Sequence, residues 1–466
     1  MASLFNDIER YKDKIAIFDG QARITYQKLT KEADEIARQV KKRSLVLFSC
    51  KNSYPSIAGY VGFLRAGIVP LLTSNKIDED LLSKLLKCYL PDYLYLPLEK
   101  SEFFQKFETI FEHKDYVLRK TNFGSKHIPH HDLALLLSTS GSTGSPKYVK
   151  QSYLNIESNT SSITKYLNIS EEDRSITTMP MNYTYGLSII NTHLFNGASI
   201  IVTEDSVLNK NFWKVLKENS ATNLGGVPYI YEILKKLRFD KMDLPDLKYI
   251  TQAGGMLRSE LCVDFAKICS QKNIKFFIMY GQAEATARIS YLPWEKVIQK
   301  PDSIGIPIPG GKIWLEDENG IVVDGEFESG ELVYQGENVS LGYAKNRFDL
   351  QKGDENFGTL YTGDLAKRDG ENFYYIIGRK NRYLKMFGNR INLDEIEELI
   401  NSKGNECACS GVDDKIKIYI TKSEKKNIIK KYISKKTGIH TRGFEIIIVD
   451  NIPRNESGKI LYSRLR

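Results

Sequence analysis

Long apolar runs, a signal-like N-terminus and paired cysteines are all missing from this sequence. No window of 18 apolar residues occurs, and the best candidate, YVGFLRAGIVPLL, is interrupted by Arg65. The N-terminal segment MASLFNDIERYKDK is charged and has no apolar core of the kind that secretory signals carry. Six cysteines scattered over 466 residues do not suggest a disulfide framework. We therefore expect a soluble, cytoplasmic protein that does not associate with membranes.

The charge of the chain is concentrated towards its C-terminal end. The net charge is +8, and residues 382–466 carry 18 lysines and arginines against 11 acidic residues, or +7. This asymmetry suggests an acidic partner for the segment. Nucleic acid is not expected to be that partner, because aromatic residues are not interleaved with the basic ones and no nucleic-acid module is recognisable. A solvated, lysine-rich surface helix over 423–438 explains the same composition and stays open as an alternative.

Helical and strand-like patterns alternate along the first 300 residues. The stretch YQKLTKEADEIARQVKKR predicts an amphipathic helix, and the following LVLFSC predicts a buried strand. Repetition of such pairs predicts an α/β fold in which helices cover mostly parallel sheets. After about Pro301 the glycine-punctuated runs GELVYQG and NFYYIIG predict a small β subdomain over 301–378. The last part, with LDEIEELINS, KIKIYIT and FEIIIVD, predicts a compact α+β domain over 382–466.

A loop of small residues follows an apolar run in LLLSTSGSTGSPK, 135–147. Glycine has no Cβ, and hydroxyl and backbone N–H groups donate hydrogen bonds, so such a loop can approach a polyanion closely. Lys147 adds a fixed cation. The loop is not the pattern of P-loop NTPases, because no Gly-Lys-Ser/Thr closes it. Taken alone it is compatible with an ordinary turn, and its interpretation as a phosphate site depends on further motifs.

Three further motifs contain residues suited to a nucleotide. In MYGQAEAT, Tyr280 ends a strand where its ring can lie beside a flat heterocycle, and Glu284 can hold Mg²⁺ on a triphosphate. In the stretch 360–398, which begins LYTGDL, Asp364 can accept hydrogen bonds from two ribose hydroxyls, and Arg379 offers a donor fork to the same sugar or to a phosphate. In PRNESGK, Lys459 follows a glycine turn and matters only if it is brought to the phosphates.

The motifs STSGSTGSPK, YGQAEAT, GELVYQGENVSLGY, YTGDL, GRKNRYLKMFGNRI and PRNESGK, in this order, resemble those of the adenylate-forming superfamily. That superfamily includes acyl-CoA synthetases, fatty acyl-AMP ligases, luciferases and adenylation domains of peptide synthetases. The resemblance spans nearly the whole chain. It implies ATP- and Mg²⁺-dependent activation of a carboxylic acid to an acyl-adenylate with release of pyrophosphate. It then implies transfer to the phosphopantetheine thiol of coenzyme A or of an acidic acyl carrier protein.

The resemblance also implies a large domain over 1–378, a hinge at 379–381 with Asn381 at its centre, and a mobile domain over 382–466. Lys459 is implied as the catalytic cation that bridges the carboxylate and the α-phosphate, and Glu284 as the Mg²⁺ ligand. The implied phosphate loop consists of Thr139, Ser140, Gly141, Ser142, Thr143, Gly144 and Lys147. The implied adenine and ribose site consists of Gly254, Gly255, Tyr280, Gly281, Gln282, Asp364 and Arg379. The loop from Lys385 to Gly388 would line the channel for the thiol.

The acyl substrate is less sharply indicated. The stretch MPMNYTYGLSIINTHLFNGASI, 179–200, lacks the aspartate with which amino-acid-activating members pair the substrate ammonium, so a carboxylic acid with an uncharged side is favoured over an α-amino acid. The candidate pocket walls are Tyr183, Tyr185, Gly186, Gly226, Val227, Gly254 and Arg288. Arg288 is expected to cap a neighbouring strand, with recognition of a second anionic group as an alternative.

One departure from the superfamily pattern keeps other functions open. Ala283 stands where a threonine usually precedes the Mg²⁺-binding glutamate, which removes a hydroxyl from the α-phosphate. An enzyme that activates amino acids, or one that passes the acyl group to an amine, is one alternative. An inactive relative that serves as a binding or scaffold protein is another, although the joint presence of Lys459, Glu284, Asp364 and Arg379 disfavours it.

Overall fold

A computed structural model of the chain describes residues 4–77, 79–124, 126–138, 147–387, 389–422, 425–455 and 458–465. The chain divides into two compact units. The first comprises Met1–Lys312 and Tyr334–Leu360, and the second comprises Ile313–Val333 and Tyr361–Arg466. Within the described ranges, no helix has the length and apolar character that a membrane crossing requires. The hinge at 379–381 and the domain boundaries on either side of it stay a prediction.

The helices are α1 (Tyr26–Arg38), α2 (Tyr54–Arg65), α3 (Glu79–Tyr89), α4 (Tyr153–Leu167), α5 (Thr184–Phe195), α6 (Lys210–Glu218), α7 (Pro228–Lys236), α8 (Ser259–Gln271), α9 (Leu393–Asn401) and α10 (Lys426–Thr437). The strands are β1 (Ile15–Asp19), β2 (Ala22–Thr25), β3 (Leu45–Cys50), β4 (Val69–Ser74), β5 (Tyr93–Pro97), β6 (Glu108–His113), β7 (Tyr116–Lys120), β8 (Leu133–Ser138), β9 (Tyr148–Ser152), β10 (Arg174–Ile176), β11 (Ser199–Val202), β12 (Asn223–Gly226), β13 (Tyr249–Gln252), β14 (Lys275–Tyr280), β15 (Ser290–Leu292), β16 (Ile306–Pro307), β17 (Lys312–Glu316), β18 (Ser329–Gln335), β19 (Tyr343–Ala344), β20 (Thr359–Arg368), β21 (Tyr374–Arg379), β22 (Tyr383–Met386), β23 (Asn389–Asn392), β24 (Cys407–Val412), β25 (Lys415–Ile420) and β26 (Phe444–Ile448).

Two large sheets form the first unit. The nine-stranded sheet has the order β16-β15-β14-β13-β12-β10-β11-β1-β2, and its strands from β14 to β1 are parallel. The eight-stranded sheet has the order β19-β9-β8-β4-β3-β5-β7-β6, with a parallel centre formed by β8, β4, β3 and β5. These sheets carry the mostly parallel, helix-covered arrangement expected from the alternating sequence patterns.

The apolar runs noted in the sequence become the centres of these sheets. Strand β3 is buried on all of its residues, and the five residues from Leu133 to Leu137 in β8 are fully buried. Helix α2 is buried from Tyr54 to Leu64, and α1 buries one face. Helix α1 begins at a local cap, in which the Thr25 hydroxyl accepts a hydrogen bond from the backbone N–H of Lys28.

The second unit contains smaller sheets. One has the order β17-β18-β20-β21, and another pairs β24 with β25 in antiparallel and β25 with β26 in parallel fashion. Helices α9 and α10 bury Ile396, Ile400, Ile429 and Ile433 in the core of the latter sheet. Residues 301–378 and 382–466 thus carry the β-rich and α+β textures expected from the sequence.

Candidate functional site in the two units

Three neighbouring parallel strands end side by side in the nine-stranded sheet. The register pairs Gly226 of β12 with Gln252 of β13, and Gln252 with Ile278 of β14. The residues that follow these strands therefore lie along one carboxyl edge: Val227 after β12, Gly254 and Gly255 after β13, and Gly281 and Gln282 after β14. The carboxyl edge of an open α/β sheet is where such folds bind ligands. Residues predicted for the adenine and acyl sites are brought together here.

Gly254 makes the closest approach along this edge. Its φ of +85° lies in the left-handed region. A Cβ added at this position would lie 2.5 Å from the Tyr183 hydroxyl oxygen and 3.1 Å from Val227 Cγ1. A side chain is therefore excluded on conformational and steric grounds alike. Burial raises the pKa of Tyr183 to about 12, so its phenol is neutral at pH 7.

The turn that carries Glu284 is held from several directions. The amide nitrogen of Gln151 donates to the Ala283 carbonyl at 3.0 Å, and that of Asn338 donates to the carbonyls of Ala285 at 2.8 Å and Arg288 at 2.9 Å. These are buried side-chain amides bonded to a loop that has no strand partner of its own, so the backbone around Glu284 is fixed by them. The carboxylate is positioned by a rigid turn.

Glu284, Tyr343 and Lys147 form a contiguous group. The Tyr343 hydroxyl donates to Glu284 Oε1 at 2.6 Å, and the Lys147 ammonium lies 3.3 Å from the centre of the Tyr343 ring. Burial and the neighbouring carboxylate both raise the pKa of Tyr343, which keeps this donor protonated. The carboxylate is a hard oxygen ligand of the type that Mg²⁺ takes together with substrate phosphates, so the residues present fit the ion.

A small cavity lies beside the same three strands and is lined by Asn223 of β12, Thr251 of β13 and Met279 of β14. The cavity has a volume of about 20 Å³. Of the predicted pocket walls, Tyr185 and Arg288 border it. Its other lining residues are Ile163, Leu167, Ile169, Ser188, Ile189, Thr192, His193 and Tyr249. No carboxylate is among them. The predicted walls Tyr183, Val227 and Gly254 form a separate contact group, and the Tyr183 and Tyr185 rings are 6.4 Å apart.

Arg288 is a buried cation in this cavity. Its relative exposure is 3%, and its guanidinium carbon lies 4.3 Å from the centre of the Tyr185 ring. Its contacts to the Ser188 hydroxyl, the Ala287 carbonyl and the Met279 sulfur are all 3.4 Å long. Within the described part of the chain it forms no ion pair. The stacking on Tyr185 compensates only part of the cost of burying this charge.

The remaining acyl-pocket predictions occupy the flanks of these groups. Gly186 lies in the first turn of α5, close to the Pro180 carbonyl, and Gly226 ends β12 against Ile230 and Tyr231. Tyr185 donates its hydroxyl proton to the Thr251 carbonyl at 2.8 Å. These contacts position the helix start and the strand end, and the roles of the glycines in substrate binding stay predictions.

Asp364 and Arg379 meet in the second unit. They are direct partners in the antiparallel pair of β20 and β21, and Arg379 Nε donates to Asp364 Oδ1 at 3.0 Å. The aspartate side chain is 4% exposed and the arginine side chain 61%. The pair therefore presents an exposed guanidinium that is oriented by a buried carboxylate, an arrangement able to donate to an anion or a sugar.

Lys459 follows a tight turn near the C-terminal end. The Gly458 N–H donates to the Asn455 carbonyl at 2.9 Å, and the Lys459 N–H donates to Asn455 Oδ1 at 2.9 Å. Arg454 and Ile460 are paired across this turn. Asn381 lies in a short helical turn, Lys380–Arg382, and Lys385 lies in β22. The predicted loop residues Thr139 to Gly144 and Gly388 lie outside the described residues.

Tyr343 is the site residue that the sequence argument missed. It closes the motif GELVYQGENVSLGY, so its place in a recognised motif was the available signal. Ser188 and His193 in the cavity were also missed. Their spacing in SIINTH, with Ile189 and Thr192 beside them, is that of one helical face, and this period could have marked them as pocket-lining.

The carboxyl edge of an open α/β sheet, with a carboxylate held in a fixed turn beside it, suits a nucleotide, and the second unit separately holds the Asp364–Arg379 pair. Residues 4–344 match the model of the AMP-binding enzyme family, and the chain belongs to that family. This confirms the predicted class, an AMP-forming acid–thiol ligase that uses ATP and Mg²⁺. The roles of individual residues, the acid and the thiol stay predictions.

Similar proteins support the same class. A 2-succinylbenzoate–CoA ligase of Geobacillus sp. (strain WCH70) is 25% identical over 97% of this chain and 94% of its own length. A D-alanine–D-alanyl carrier protein ligase of Staphylococcus aureus (strain bovine RF122 / ET3-1) is 25% identical over 85% and 82%. The solved o-succinylbenzoate CoA synthetase of Bacillus subtilis, in complex with its acyl-adenylate, has a TM-score of 0.82 at 21% identity and covers 100% of this chain and 98% of its own. This likeness confirms the predicted fold class.

Proposed function

We propose that this enzyme activates a compact carboxylic acid that carries a second anionic group, and then transfers the acyl group to a phosphopantetheine thiol. The observation that carries the choice of acid is Arg288, a buried guanidinium that has no carboxylate partner among the described residues and borders a small, mostly apolar cavity. A cation buried in this way is stabilised when a substrate supplies the missing anion.

The first half-reaction brings two anions together. The substrate carboxylate oxygen attacks the α-phosphorus of ATP, an O–P bond forms, and the bond to the bridging oxygen breaks as pyrophosphate leaves. A general base is unnecessary, because a carboxylic acid is already ionised at neutral pH. Glu284 would hold Mg²⁺, which supplies positive charge to the leaving pyrophosphate. Lys147 is proposed to contact the outer phosphates, and Lys459 to neutralise the carboxylate and α-phosphate.

The second half-reaction replaces oxygen by sulfur on the acyl carbon. The thiolate attacks the carbonyl, the C–S bond forms, the C–O bond to the phosphate breaks, and AMP leaves with the bridging oxygen. This step needs no cation to bring the carboxylate and the phosphate together, because the two are already joined in the acyl-adenylate. We therefore assign Lys459 to the first half-reaction, and the loop that includes Lys385 to the channel for the thiol.

The cavity chemistry disfavours α-amino acids. An ammonium group needs a buried carboxylate, and neither the lining of the cavity nor the stretch 179–200 provides one. Arg288 would in addition repel it. 2-Succinylbenzoate, the substrate named for one relative, has two carboxylates, whereas D-alanine, named for another, has one. Amino-acid activation is the second candidate on the strength of that relative.

The acceptor is proposed to be coenzyme A or an acidic carrier protein. Both are anionic, and residues 382–466 carry a net charge of +7. Helix α10 exposes much of that charge, so a plainly solvated helix is the competing explanation. If the rate of transfer to a carrier protein falls steeply as the salt concentration is raised, docking on this surface is supported. Equal transfer rates at both ionic strengths contradict it.

The test of the proposed function is acid-dependent release of pyrophosphate from ATP over a panel of carboxylic acids. We expect release with a small set of acids, and a loss of several orders of magnitude in Lys459→Ala with unchanged thermal unfolding. Lys426→Ala, which removes another lysine of the same basic segment, is the matched control and should keep the wild-type rate of pyrophosphate release. Inertness of the wild-type protein towards every acid favours the alternative of a binding or scaffold protein.

A further inference from the structure

The C-terminal segment that carries Lys459 is anchored by a buried polar cluster in the second unit. Arg382, Glu397 and Tyr462 form this cluster, which we term the tail clamp. Arg382 Nη2 donates to Glu397 Oε1 at 2.6 Å, and the Tyr462 hydroxyl donates to Glu397 Oε2 at 2.9 Å. The guanidinium carbon of Arg382 lies 4.1 Å from the centre of the Tyr462 ring, so each member contacts the other two.

The tail clamp is largely buried, and its polar groups have hydrogen-bond partners. Glu397 has a relative exposure of 8%, and the Arg382 side chain is 13% exposed. Arg382 also bonds Asp394 and, at 3.1 Å, the Cys409 carbonyl, while the Cys409 N–H donates to Glu397. Burial and Glu397 raise the pKa of Tyr462, so its phenol stays protonated at neutral pH and can donate its hydrogen bond to Glu397. Buried ion pairs of this kind contribute conformational specificity more readily than stability.

The tail clamp lies between two positions that matter for the proposed reaction. Arg382 directly follows Asn381, the predicted hinge residue, and Tyr462 lies three residues after Lys459. The intervening Leu461 is 3% exposed, and its N–H donates to the Pro453 carbonyl at 2.8 Å. The backbone from the lysine to the tyrosine is therefore short and fixed, and a shift of the Tyr462 ring displaces Lys459 with it.

We propose that the tail clamp positions the Lys459 ammonium for adenylation by tying the C-terminal segment to the first residues after the predicted hinge. Arg382, Glu397 and Tyr462 are positioning residues, since none of them is assigned a contact with substrate. This inference rests on the roles proposed above for Lys459 and Asn381. It requires the clamp to matter in the first half-reaction, which uses the lysine, and not in the second, which does not.

Tyr462→Phe is the sharpest perturbation, because it removes one hydroxyl and keeps the ring over Arg382. Misplacement of a charged group by about 1 Å can cost about a hundredfold, and loss of a single anchoring hydrogen bond is expected to cost about tenfold in kcat for adenylation. KM for ATP and for the acid should not change. Thioester formation from a synthetic acyl-adenylate should stay within about twofold of wild type. Tyr375→Phe is the matched control, because it removes another tyrosine hydroxyl of the second unit that donates to a carboxylate, that of Asp369 at 2.8 Å, and it should leave both half-reactions unchanged.

A double-mutant cycle separates positioning from a merely structural role. In a Lys459→Ala background, Tyr462→Phe should cause no further loss of adenylation, because the group it positions is gone. Equal loss in both half-reactions, or additive losses in the cycle, overturns the positioning role. If Lys459→Ala itself leaves adenylation intact, the proposed role of the lysine fails first. If the lysine is essential and Tyr462→Phe is without effect, only the tail clamp proposal fails.

Discussion

Replacing Arg288 by methionine probes the choice of acid most specifically. Methionine keeps the aliphatic length beside Tyr185 and removes the charge. Because Arg288 is 3% exposed and its contacts within the described residues are to neutral groups, a substrate anion is its natural partner. Removal of one partner of a buried, hydrogen-bonded charge pair costs about 3–5 kcal/mol. Taking the lower figure, kcat/KM for the preferred acid should fall by somewhat more than about a hundredfold.

The same substitution should leave the free protein at least as stable as before. A buried cation without a partner is unfavourable, and replacing it by an apolar side chain of similar volume is often neutral or stabilising. We therefore expect a thermal unfolding midpoint for Arg288→Met that is unchanged or raised. Activity lost together with stability retained is the combination that distinguishes substrate recognition from structural support. Arg238→Met, on the surface, is the control and should change neither quantity.

The assay compares a dicarboxylate with its half-amide, for example succinate with succinamate, in pyrophosphate release. The two acids have nearly the same shape, and only the diacid has an anion for Arg288. Wild type should prefer the diacid, and Arg288→Met should abolish or invert that preference. A loss of the same factor on both acids refutes the reasoning, because it would mean that Arg288 supports the pocket without contacting the substrate.

Three further outcomes follow from local geometry. Gly254→Ala should raise KM for the substrate by about tenfold or more in steady-state kinetics, since φ is +85° and the new Cβ would meet Tyr183. Adding Tyr183→Phe should restore part of this loss. Glu284→Gln should lower kcat by about a hundredfold and raise the Mg²⁺ concentration for half-maximal rate; an unchanged Mg²⁺ titration would count against the assigned ligand. Burial lowers the pKa of His193 to about 4, so its neutral form stabilises the fold above pH 6.5 and this contribution, up to about 3 kcal/mol, is lost as pH falls from 6.5 towards 4. Urea unfolding of His193→Gln should show a smaller fall over that interval than wild type, and identical pH profiles would contradict this.

The neutral form of His193 has a clear structural basis. Its Nδ1 lies 2.8 Å from the Ile189 carbonyl and donates to it, and its Nε2 accepts from the side-chain amide of Asn223 at 3.1 Å. Protonation would turn Nε2 into a donor that faces another donor. Such a pairing is visible only once helix α5 is packed against β12, and no spacing in the sequence indicates it.

Much of the fold could be predicted because local periodicity and tertiary burial agree. LVLFSC became β3 with unchanged bounds, and the run from Leu133 became a buried strand before the small-residue loop. The helix expected over 26–43 ends at Arg38, because Val40 and the residues after it turn back towards β3. Boundaries of this kind depend on tertiary contacts, which override a continuing helical pattern.

The same difference between local patterns and tertiary contacts decided which residues of the candidate site could be predicted. Motifs indicated Glu284, Asp364 and Arg379, whose roles stay predictions, and the structure brings Asp364 and Arg379 together. Residues brought in from distant segments were not located: Tyr343 reaches Glu284 across 59 positions of sequence. That Arg288 forms no ion pair with the carboxylates of the described residues is likewise a property of packing, and the sequence favoured a strand cap for it.

The fate of the substrate oxygen tests most directly whether an acyl-adenylate lies on the reaction path. The acid is supplied with ¹⁸O in its carboxylate, the thiol acceptor is added, and the products are separated by mass spectrometry. One labelled oxygen should appear in AMP, because the bridging oxygen leaves with the phosphate when the thioester forms. Label in inorganic phosphate, or thioester formed with unlabelled AMP, would show that no acyl-adenylate lies on the path.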